Sequence, residues 1–302
     1  MSQASQRVTI GLPVYNGERF LAQAIESILA QTYTQFALVI SDNGSTDRTQ
    51  EICEAYAAKD NRICYKRYDE NRGAAWNFNN LLEFTHTEYF KWQCYDDLLH
   101  PMMVEKCVAV LDREPEVVVA YPQAAVIDAQ GGLVGTWADG AELRSARPSE
   151  RMAHFLYHRN KGHLESQFGV MRTAPLRTTA LMGAIPYSDQ VFLVEMHLRG
   201  QFRELPEPLF IRRIHEGIST NANDMYALKF FLDPKRKGRI SLQRPERLSE
   251  FVKAINRAKL GPAETLRCYA QLLPLTLSPA NISKMGQDLR MAWRQVISNP
   301  ER

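Results

Sequence analysis

The chain has 302 residues and a formal net charge of +3, with 45% hydrophobic and 24% charged residues. This length can bury a large core, and the composition is ordinary for a soluble protein. So small a positive charge does not indicate binding to nucleic acid. No apolar run approaches the length that spans a bilayer, and the polar start, MSQASQR, is not typical of a signal peptide.

The cysteines are scattered along the chain, odd in number and without CxxC spacing. This pattern predicts reduced thiols in a cytoplasmic protein and argues against a zinc site. The five are Cys53, Cys64, Cys94, Cys107 and Cys268.

Strands and helices alternate along the first 128 residues. Apolar, β-branched runs predict strands at 8–15, 36–42, 63–68, from Tyr89 to about Tyr95, and 117–128. Amphipathic spacing predicts helices ending near residue 31, over 48–58, around 76–82, and over 101–113. Repeated strand–helix alternation is typical of a mostly parallel sheet covered by helices on both faces, so the fold class is α/β.

The alternation weakens after residue 130. The segment 131–150 is turn-rich and predicts a mobile loop near the site. The later predictions are helices near 150–158, 174–181 and after Ser188, a strand in SQFGVMR, and two strands separated by a Pro-x-Pro bend that end near His215. Beyond Asp233, helices are predicted at about 247–258, 262–272 and 281–297. We expect them to pack as a helical cap, and an interaction module is the alternative.

A polar pair follows each of the first four predicted strands. The pairs are Tyr15-Asn16, Asp42-Asn43, Asn71-Arg72 and Asp96-Asp97. Because the carboxyl ends of parallel strands share one edge of the sheet, these pairs should converge on one crevice.

The stretch from Tyr89 to Pro101 ends its apolar run in the adjacent carboxylates of Asp96 and Asp97. Two carboxylates cannot both be buried without partners, so we expect them to face water, a cation or a hydrogen-bonding ligand. At the end of a central strand they suggest a divalent metal and a phosphorylated substrate. The alternative is a strand-to-helix turn in which Asp97 caps the helix that begins near Pro101.

Several segments, in this order and at this spacing, resemble family 2 glycosyltransferases of the GT-A fold. They are VTIGLPVYNGERFLAQAIESILAQTY, LVISDNGSTDRT, ENRGAAWNFN and YDDLLHP. The resemblance extends to about residue 220. It implies a GT-A domain over 1–220, with a nucleotide-sugar half at 7–130 and an acceptor and catalytic half at 131–220. A C-terminal helical extension would occupy 221–302.

The resemblance also implies which residues hold the nucleotide. The family's base-binding turn falls here on Pro13, Tyr15, Asn16 and Glu18. Asp42 matches the carboxylate that accepts a base N–H, which suits uracil or thymine, and Asn43 stands where a second aspartate is common. Arg72 or Asn77 is expected to touch the nucleotide.

The family's DXD-type motif falls on Cys94, Asp96 and Asp97, with cysteine where many relatives have aspartate. The resemblance implies that Asp96 holds the ribose hydroxyls and Asp97 holds Mg²⁺ or Mn²⁺ on the diphosphate. His215 would lie near the metal, and Arg213 would contact phosphate. Neutralising the departing diphosphate is what such a cation does chemically. The cysteine leaves metal dependence open.

The segment PYSDQVFLVEMHLRG resembles the one that supplies the family's general base, here Asp189. In an inverting transfer one carboxylate takes the proton of the acceptor hydroxyl as its oxygen attacks the anomeric carbon. The alternative is that Asp189 only caps a helix. Glu195 or Glu165 would then be the next candidates for the base.

The sequence therefore predicts an inverting, metal-dependent transferase that moves a sugar from a UDP- or dTDP-sugar to a hydroxyl of a glycan or lipid-linked acceptor. The role expected is cell-surface polysaccharide biosynthesis. The alternatives are a nucleotide-sugar binding protein and a nucleotidyltransferase, although the latter should carry a Gly-rich phosphate loop after the first strand. The expected partners exclude nucleic acid. Peripheral membrane contact, a location at the inner membrane face and a homodimer through the C-terminal helices stay open.

Overall fold

The computed structural model describes residues 6–140, 142, 144–158, 164–216, 231–234, 243–277 and 290. The strands are β1 (Val8–Val14), β2 (Phe36–Asp42), β3 (Ile63–Arg67), β4 (Tyr89–Trp92), β5 (Leu98–Leu99), β6 (Val117–Ile127), β7 (Leu133–Trp137), β8 (Val170–Arg172) and β9 (Gln201–Arg213). The helices are α1 (Leu21–Leu29), α2 (Thr49–Ala57), α3 (Ala74–Asn80), α4 (Met103–Arg113), α5 (Pro148–Tyr157), α6 (Thr173–Leu176), α7 (Ser188–Arg199), α8 (Gln243–Arg257), α9 (Pro262–Ala270) and α10 (Leu273–Leu277). Short 3₁₀ turns cover Leu81–Phe84 and Glu165–Phe168.

The strands form one sheet in the order β3-β2-β1-β4-β8-β6-β9-β5, with β7 added beside β6. β1 lies parallel to β2 and β4, and β2 lies parallel to β3. The parallel α/β arrangement predicted for the first half is therefore confirmed. The second half is mixed, because β8 pairs antiparallel with both β4 and β6 while β9 lies parallel to β6.

Helices cover both faces of the sheet at β4. Tyr89 and Trp92 are three residues apart in this strand, so their side chains point to opposite faces. The Trp92 ring packs edge-on against Phe192 of α7 and lies 6.0 Å from Phe78 of α3. On the other face, the Tyr89 hydroxyl donates to Asp112 of α4 at 2.6 Å. The helices α3 and α7 therefore share the face opposite α4.

The prediction of a mobile loop over 131–150 is wrong for Leu133–Trp137, which form β7. This strand pairs antiparallel with β6 after a turn in which Asp128 Oδ1 accepts the backbone N–H of Gly132 at 2.8 Å. Most of its side chains are not buried, and Leu133 is 72% exposed. Because an edge strand exposed in this way carries no apolar alternation, the sequence pattern did not mark it.

The two strands predicted before His215 are one continuous strand, β9. Its pairing with β6 passes from Leu205 opposite Pro122 to Phe210 opposite Ala124. The extra residues between Leu205 and Phe210 form a bulge, which is where the predicted Pro-x-Pro bend lies.

Two other elements are shorter than predicted. The strand expected in SQFGVMR contains only β8, and the helix expected over 174–181 is the four-residue α6. Two threonine hydroxyls after α6 bond back to its carbonyls, from Thr178 to Pro175 and from Thr179 to Leu176. Such bonds compete with continued helix. The helix predicted at 281–297 lies outside the described residues except for residue 290.

Of the C-terminal helices, α8 packs against α7 and α9 packs against α5. Arg257 of α8 pairs with the buried Glu195 of α7, and the Tyr157 hydroxyl of α5 donates to the Gln271 carbonyl after α9. A packed cap was the expected arrangement. In the described part of the chain no helix combines the length and the hydropathy needed to cross a bilayer.

Candidate functional site

The loops after β1 and β2 are joined by hydrogen bonds. The Asn16 N–H donates to Ser45 Oγ at 2.9 Å, and Asn16 Oδ1 accepts from the Thr46 N–H at 2.9 Å. Asn16 has a φ of 52°, in the left-handed region that asparagine tolerates better than most residues. Tyr15 beside it is 41% exposed, so its ring is open to a ligand.

Glu18 and Asp47 connect the same two loops. The Glu18 N–H donates to Asp47 Oδ2 at 3.0 Å, and Glu18 Oε2 accepts from the Arg48 N–H at 3.1 Å. Asp47 Oδ1 accepts from the Thr49 N–H at the start of α2. Glu18 therefore joins the loop after β1 to the backbone of the loop after β2.

Asp42 at the end of β2 is fully buried. Its Oδ1 accepts from the Ser45 N–H at 2.9 Å, and its Oδ2 accepts from the Tyr65 hydroxyl at 2.7 Å. Burial, followed by the bond to Asp42, raises the pKa of Tyr65, which keeps this hydroxyl a donor. A ligand N–H that reaches Asp42 would share the carboxylate with Tyr65 or displace it.

The loop after β3 presents an arginine at this edge. The Arg72 N–H donates to Asn43 Oδ1 at 3.0 Å, and Asn43 Nδ2 donates to Asn71 Oδ1 at 2.9 Å. The Arg72 guanidinium lies 4.7 Å from the centre of the Trp76 ring, and its side chain is 42% exposed. The backbone is fixed by asparagine while the guanidinium remains accessible.

Asn77 is a structural connection between strands and helix. Its Nδ2 donates to the carbonyls of Val14 and Ser41, and its Oδ1 accepts from Ser41 Oγ at 2.6 Å. The residue is 3% exposed. Because both amide hydrogens are used internally, Asn77 is not positioned to donate to a nucleotide, and the contact of Arg72 with the nucleotide stays a prediction.

Three metal-ligating side chains converge after β4. One ligand atom from each of Cys94, Asp96 and Asp97 lies within 4.8 Å of the others. The helix α4 begins at Met103, its N-cap residue Met102 makes no side-chain cap bond, and the Val104 N–H donates to Gln31 Oε1 at 3.0 Å. The alternative role of Asp97 as the cap of this helix is therefore wrong.

The end of β9 encloses Asp96. His215 Nε2 lies 3.1 Å from Asp96 Oδ2, and Arg213 Nε donates to the Asp96 carbonyl at 3.0 Å. The Arg213 guanidinium lies 4.6 Å from the centre of the Phe20 ring and donates to Gln23 at 2.7 Å. Arg213 therefore connects the turn that carries Asp96 to α1. Its contact with phosphate stays a prediction.

Asp97 is buried, against the expectation that both carboxylates face outward. It is 1% exposed, and its Oδ1 accepts from the Arg213 N–H at 2.9 Å. Arg212 lies 3.8 Å from Asp97 Oδ2 and 3.8 Å from Glu165 Oε2. Burial raises the pKa of Asp97 to about 8, although Arg212 acts in the opposite direction. Asp96, whose side chain is 16% exposed, is the more accessible carboxylate.

A buried lysine stabilises the turn that carries Asp96 and Asp97. Lys91 Nζ donates to the carbonyls of Trp92 and Phe168 and to Gln93 Oε1, at 2.7–3.0 Å. Gln93 Nε2 in turn donates to the Asp97 carbonyl at 2.9 Å. Burial lowers the pKa of Lys91 to about 7. This chain of bonds fixes the backbone that carries the two aspartates.

Asp189 lies in the first turn of α7 and is partly buried. Its Oδ1 accepts from the Gln190 N–H at 2.8 Å, and the residue at the N-cap position is Tyr187. Asp189 is thus not the N-cap residue itself. Phe192, one turn further, packs on Trp92 of β4, which places the start of α7 on the face that α3 also covers.

Glu195 and Glu165, the other two candidates for the general base, both face arginine side chains. Glu195 is 1% exposed, pairs with Arg257 and Arg199, and accepts from the Ala180 N–H. Glu165 is 4% exposed and faces Arg212. Burial raises the pKa of both carboxyl groups. Neither is placed to take a proton from an incoming hydroxyl.

Comparison with known proteins decides the family. The sequence profile described as "Glycosyl transferase family 2" matches residues 9–178, more than half of the chain. The chain is a family 2 glycosyltransferase. It is 36% identical over 125 residues to an uncharacterised glycosyltransferase of Rickettsia typhi, covering 41% of this chain and 38% of that protein. It is also 36% identical over 126 residues to the glycosyltransferase EpsE of Bacillus subtilis, covering 41% of this chain and 45% of that one. These matches span less than half of either relative.

Solved structures share the fold of this glycosyltransferase. S. aureus TarS 1–349, in complex with UDP-GlcNAc, superposes with a TM-score of 0.63 at 15% identity, covering 96% of this chain and 81% of that chain. The mannosyltransferase PcManGT from Pyrobaculum calidifontis, in complex with GDP-Man and Mn²⁺, has a TM-score of 0.54 at 14% identity, covering 98% and 76%. At such identities the likeness establishes the GT-A fold alone.

The side chains of this family 2 glycosyltransferase fit a divalent cation. Carboxylate oxygens suit Mg²⁺ and Mn²⁺, and Asp96 and Asp97 supply them. Burial raises the pKa of the Cys94 thiol well above its ordinary value, so the thiol keeps its proton and is a weak ligand for a hard ion. The fit therefore rests on Asp96 and on Asp97, whose carboxyl group would release its proton on binding the ion.

Sequence reasoning missed Arg212, Lys91 and Gln93. A signal was present for Lys91, because a lysine within the apolar strand YFKW must find partners inside the protein. Arg212 carried no comparable signal, since its role depends on Asp97 being buried. The matched profile ends at residue 178, so the roles of Asp189 and His215 rest on local motif and geometry.

Proposed function

We propose that this chain is an inverting glycosyltransferase that transfers a sugar from a UDP- or dTDP-sugar to a hydroxyl of a glycan or lipid-linked acceptor. Cell-surface polysaccharide biosynthesis is the process in which such a transfer fits. The observation that carries the proposal is the convergence of Cys94, Asp96 and Asp97 within 4.8 Å at the carboxyl end of β4, beside the loops of β1 to β3. Open α/β sheets bind ligands at this edge.

The choice of uracil or thymine rests on Asp42 and Tyr15. A carboxylate accepts the N3–H that both bases carry and adenine lacks, and the exposed Tyr15 ring can cover the base. One neighbouring structure, TarS, is complexed with UDP-GlcNAc, whereas PcManGT is complexed with GDP-Man. The neighbours alone therefore do not select the nucleotide.

The aspartates and the β9 end are proposed to hold the diphosphate end of the donor. Asp96 is the accessible carboxylate for the ribose or the cation, and Asp97 would supply a further oxygen ligand to a bound cation. His215 orients Asp96 through the 3.1 Å contact. A bound Mg²⁺ or Mn²⁺ would neutralise charge that develops on the departing diphosphate.

Asp189 is proposed as the base. The acceptor oxygen forms a bond to the anomeric carbon while the bond from that carbon to the diphosphate oxygen breaks. The electron pair of the broken bond leaves with the nucleoside diphosphate, and the hydroxyl proton goes to Asp189. Attack from the face opposite the leaving group inverts the anomeric configuration.

A thermal-shift screen of nucleotide sugars with and without Mn²⁺ tests this proposal. UDP- and dTDP-sugars should raise Tm in Mn²⁺, because a ligand that binds only the folded state stabilises it. ADP-sugars should not. UDP release on incubation then separates a transferase from a nucleotide-sugar binding protein, which would show the Tm shift without release. A shift by GDP-sugars alone would contradict the choice of nucleotide.

Asp42→Asn should weaken UDP binding by about 1–3 kcal/mol, because the amide offers a donor where the base N–H needs an acceptor. Tyr65→Phe is the matched control: it removes the hydrogen bond from the Tyr65 hydroxyl to Asp42 and leaves the carboxylate available. UDP affinity in this control should stay near that of the wild type. Titration calorimetry with UDP and ADP measures both effects. Equal affinity for ADP and UDP in the wild type would refute the role of Asp42.

A further inference from the structure

The turn that precedes α7 is held in a costly conformation. We call Leu181–Tyr187 the pre-α7 turn, because it leads directly to Asp189, the proposed general base. Leu181 and Tyr187, at its two ends, have φ values of 59° and 63°. The left-handed region is unfavourable for a residue with a side chain and persists only where the surroundings hold it. Something must therefore hold both ends of this turn.

The first end is held by α3. Asn79 Nδ2 donates to the Met182 carbonyl at 2.8 Å, and Asn79 Oδ1 accepts from the Met182 N–H at 2.9 Å. Both bonds of the side-chain amide go to one residue of the pre-α7 turn. Just before it, the Ala180 N–H donates to Glu195 of α7 at 3.3 Å.

The second end is contacted by an arginine from the C-terminal part of the chain. The Arg247 guanidinium of α8 lies 5.2 Å from the centre of the Tyr187 ring, within the range of a cation–π interaction. Arg247 Nη1 also donates to Gln190 Oε1 at 3.4 Å. Tyr187 and Gln190 stand on either side of Asp189 in the sequence. Arg247 thus contacts the two side chains that flank Asp189 in the sequence.

The C-terminal part of the chain is itself anchored to the site region. Arg257 ties α8 to Glu195 of α7. Near the nucleotide loop, Gly73 has a φ of 89°, and a Cβ there would collide with the Leu232 carbonyl oxygen and with Pro234. Residues C-terminal to the matched profile therefore contact both the loop that leads into α3 and the turn that leads into α7.

We propose that Arg247 is a positioning residue for the transfer reaction: by holding Tyr187 and Gln190 it fixes the direction of the Asp189 carboxylate. The proposal rests on the proposed function of Asp189 as base. It assigns a role in the reaction to the C-terminal helices, which would otherwise only cover α5 and α7. Small displacements of a reacting group reduce rates steeply, so holding this turn matters for turnover.

Hydrogen–deuterium exchange tests the positioning directly and needs no substrate. Arg247→Gln should speed exchange of the Met182, Ser188 and Gln190 amides by about 2- to 5-fold, the population change expected from losing a cation–π contact. Lys253→Ala, an exposed change on the same helix, should leave these amides unchanged. Arg247→Lys keeps the charge and should give a smaller increase. Unchanged exchange in Arg247→Gln would overturn the proposal.

Turnover separates this proposal from the proposed function. With the UDP-sugar that gives the fastest UDP release in wild type, Arg247→Gln should lower kcat roughly 10-fold while KM for that donor stays the same. In an Asp189→Asn background the same change should add almost nothing, because both act through one carboxylate. If Asp189→Asn is inactive but Arg247→Gln has normal kcat, only the positioning role fails. Normal kcat in Asp189→Asn would instead contradict the proposed function.

Discussion

Asp189→Asn should lose sugar transfer by roughly 10²–10⁴-fold, which is the usual contribution of a general base. The substitution keeps the shape of the side chain, and asparagine can still accept the Gln190 N–H that Asp189 Oδ1 accepts now. Only basicity is removed. Affinity for the nucleotide should remain normal, because the base contacts the acceptor and not the donor.

Steady-state UDP release and calorimetric titration of UDP measure the two quantities in the same preparation. If Asp189 only stabilised the first turn of α7, Asp189→Asn would be nearly silent, since asparagine serves there almost as well. Normal turnover would therefore exclude Asp189 as the base. Because Glu195 and Glu165 are both buried, that result would require a base other than these three carboxylates.

Asp96→Asn should lower Mn²⁺-dependent UDP affinity by about 100-fold or more, since the amide is a poor ligand for the cation that joins protein and diphosphate. Asp96 is the better position to test, because it is the accessible carboxylate. Asp97→Asn would also weaken the pairing of buried Arg212 and so lower stability. The comparison of interest is UDP affinity in Mn²⁺ against UDP affinity in EDTA.

Cys94→Ser is the matched control for the metal site. The hydroxyl is close in size to the thiol, and a protonated thiol contributes little to a hard cation. Mn²⁺-dependent UDP affinity should therefore change by less than about 10-fold in this variant. UDP binding that is equal in EDTA and in Mn²⁺ for the wild type would contradict metal dependence and leave the diphosphate to His215, Arg213 and helix N-termini.

The first two strands could be predicted because they are buried on both faces. β1 and β2 are almost wholly buried, so their sequences are continuous apolar runs whose limits match the observed bounds closely. The polar residues that follow them could be assigned to one sheet edge by topology alone. Which of these polar residues face a ligand could not be predicted, because this depends on side-chain partners distant in sequence. Asn77 bonding to Val14 and Ser41 is one example.

The second half was harder to predict for physical reasons. β7 has few buried side chains, and the bulge in β9 mixes two registers within one strand. The environment of Asp97 depends on Arg212, 115 positions further along the chain, so no local pattern could report its burial. The same holds for Arg247 and Tyr187, which meet only once α8 packs against α7. Long-range contacts of this kind leave no periodic trace in the sequence.

The anomeric configuration of the first-formed product tests the central claim most directly. Hydrolysis or transfer from a UDP-sugar with an α-linkage can be followed by proton NMR at early times, before the released sugar equilibrates between anomers. A single base at Asp189 that activates the incoming oxygen on the face opposite the diphosphate predicts the β-anomer as the first product. An α-anomer at the earliest time points would contradict this account.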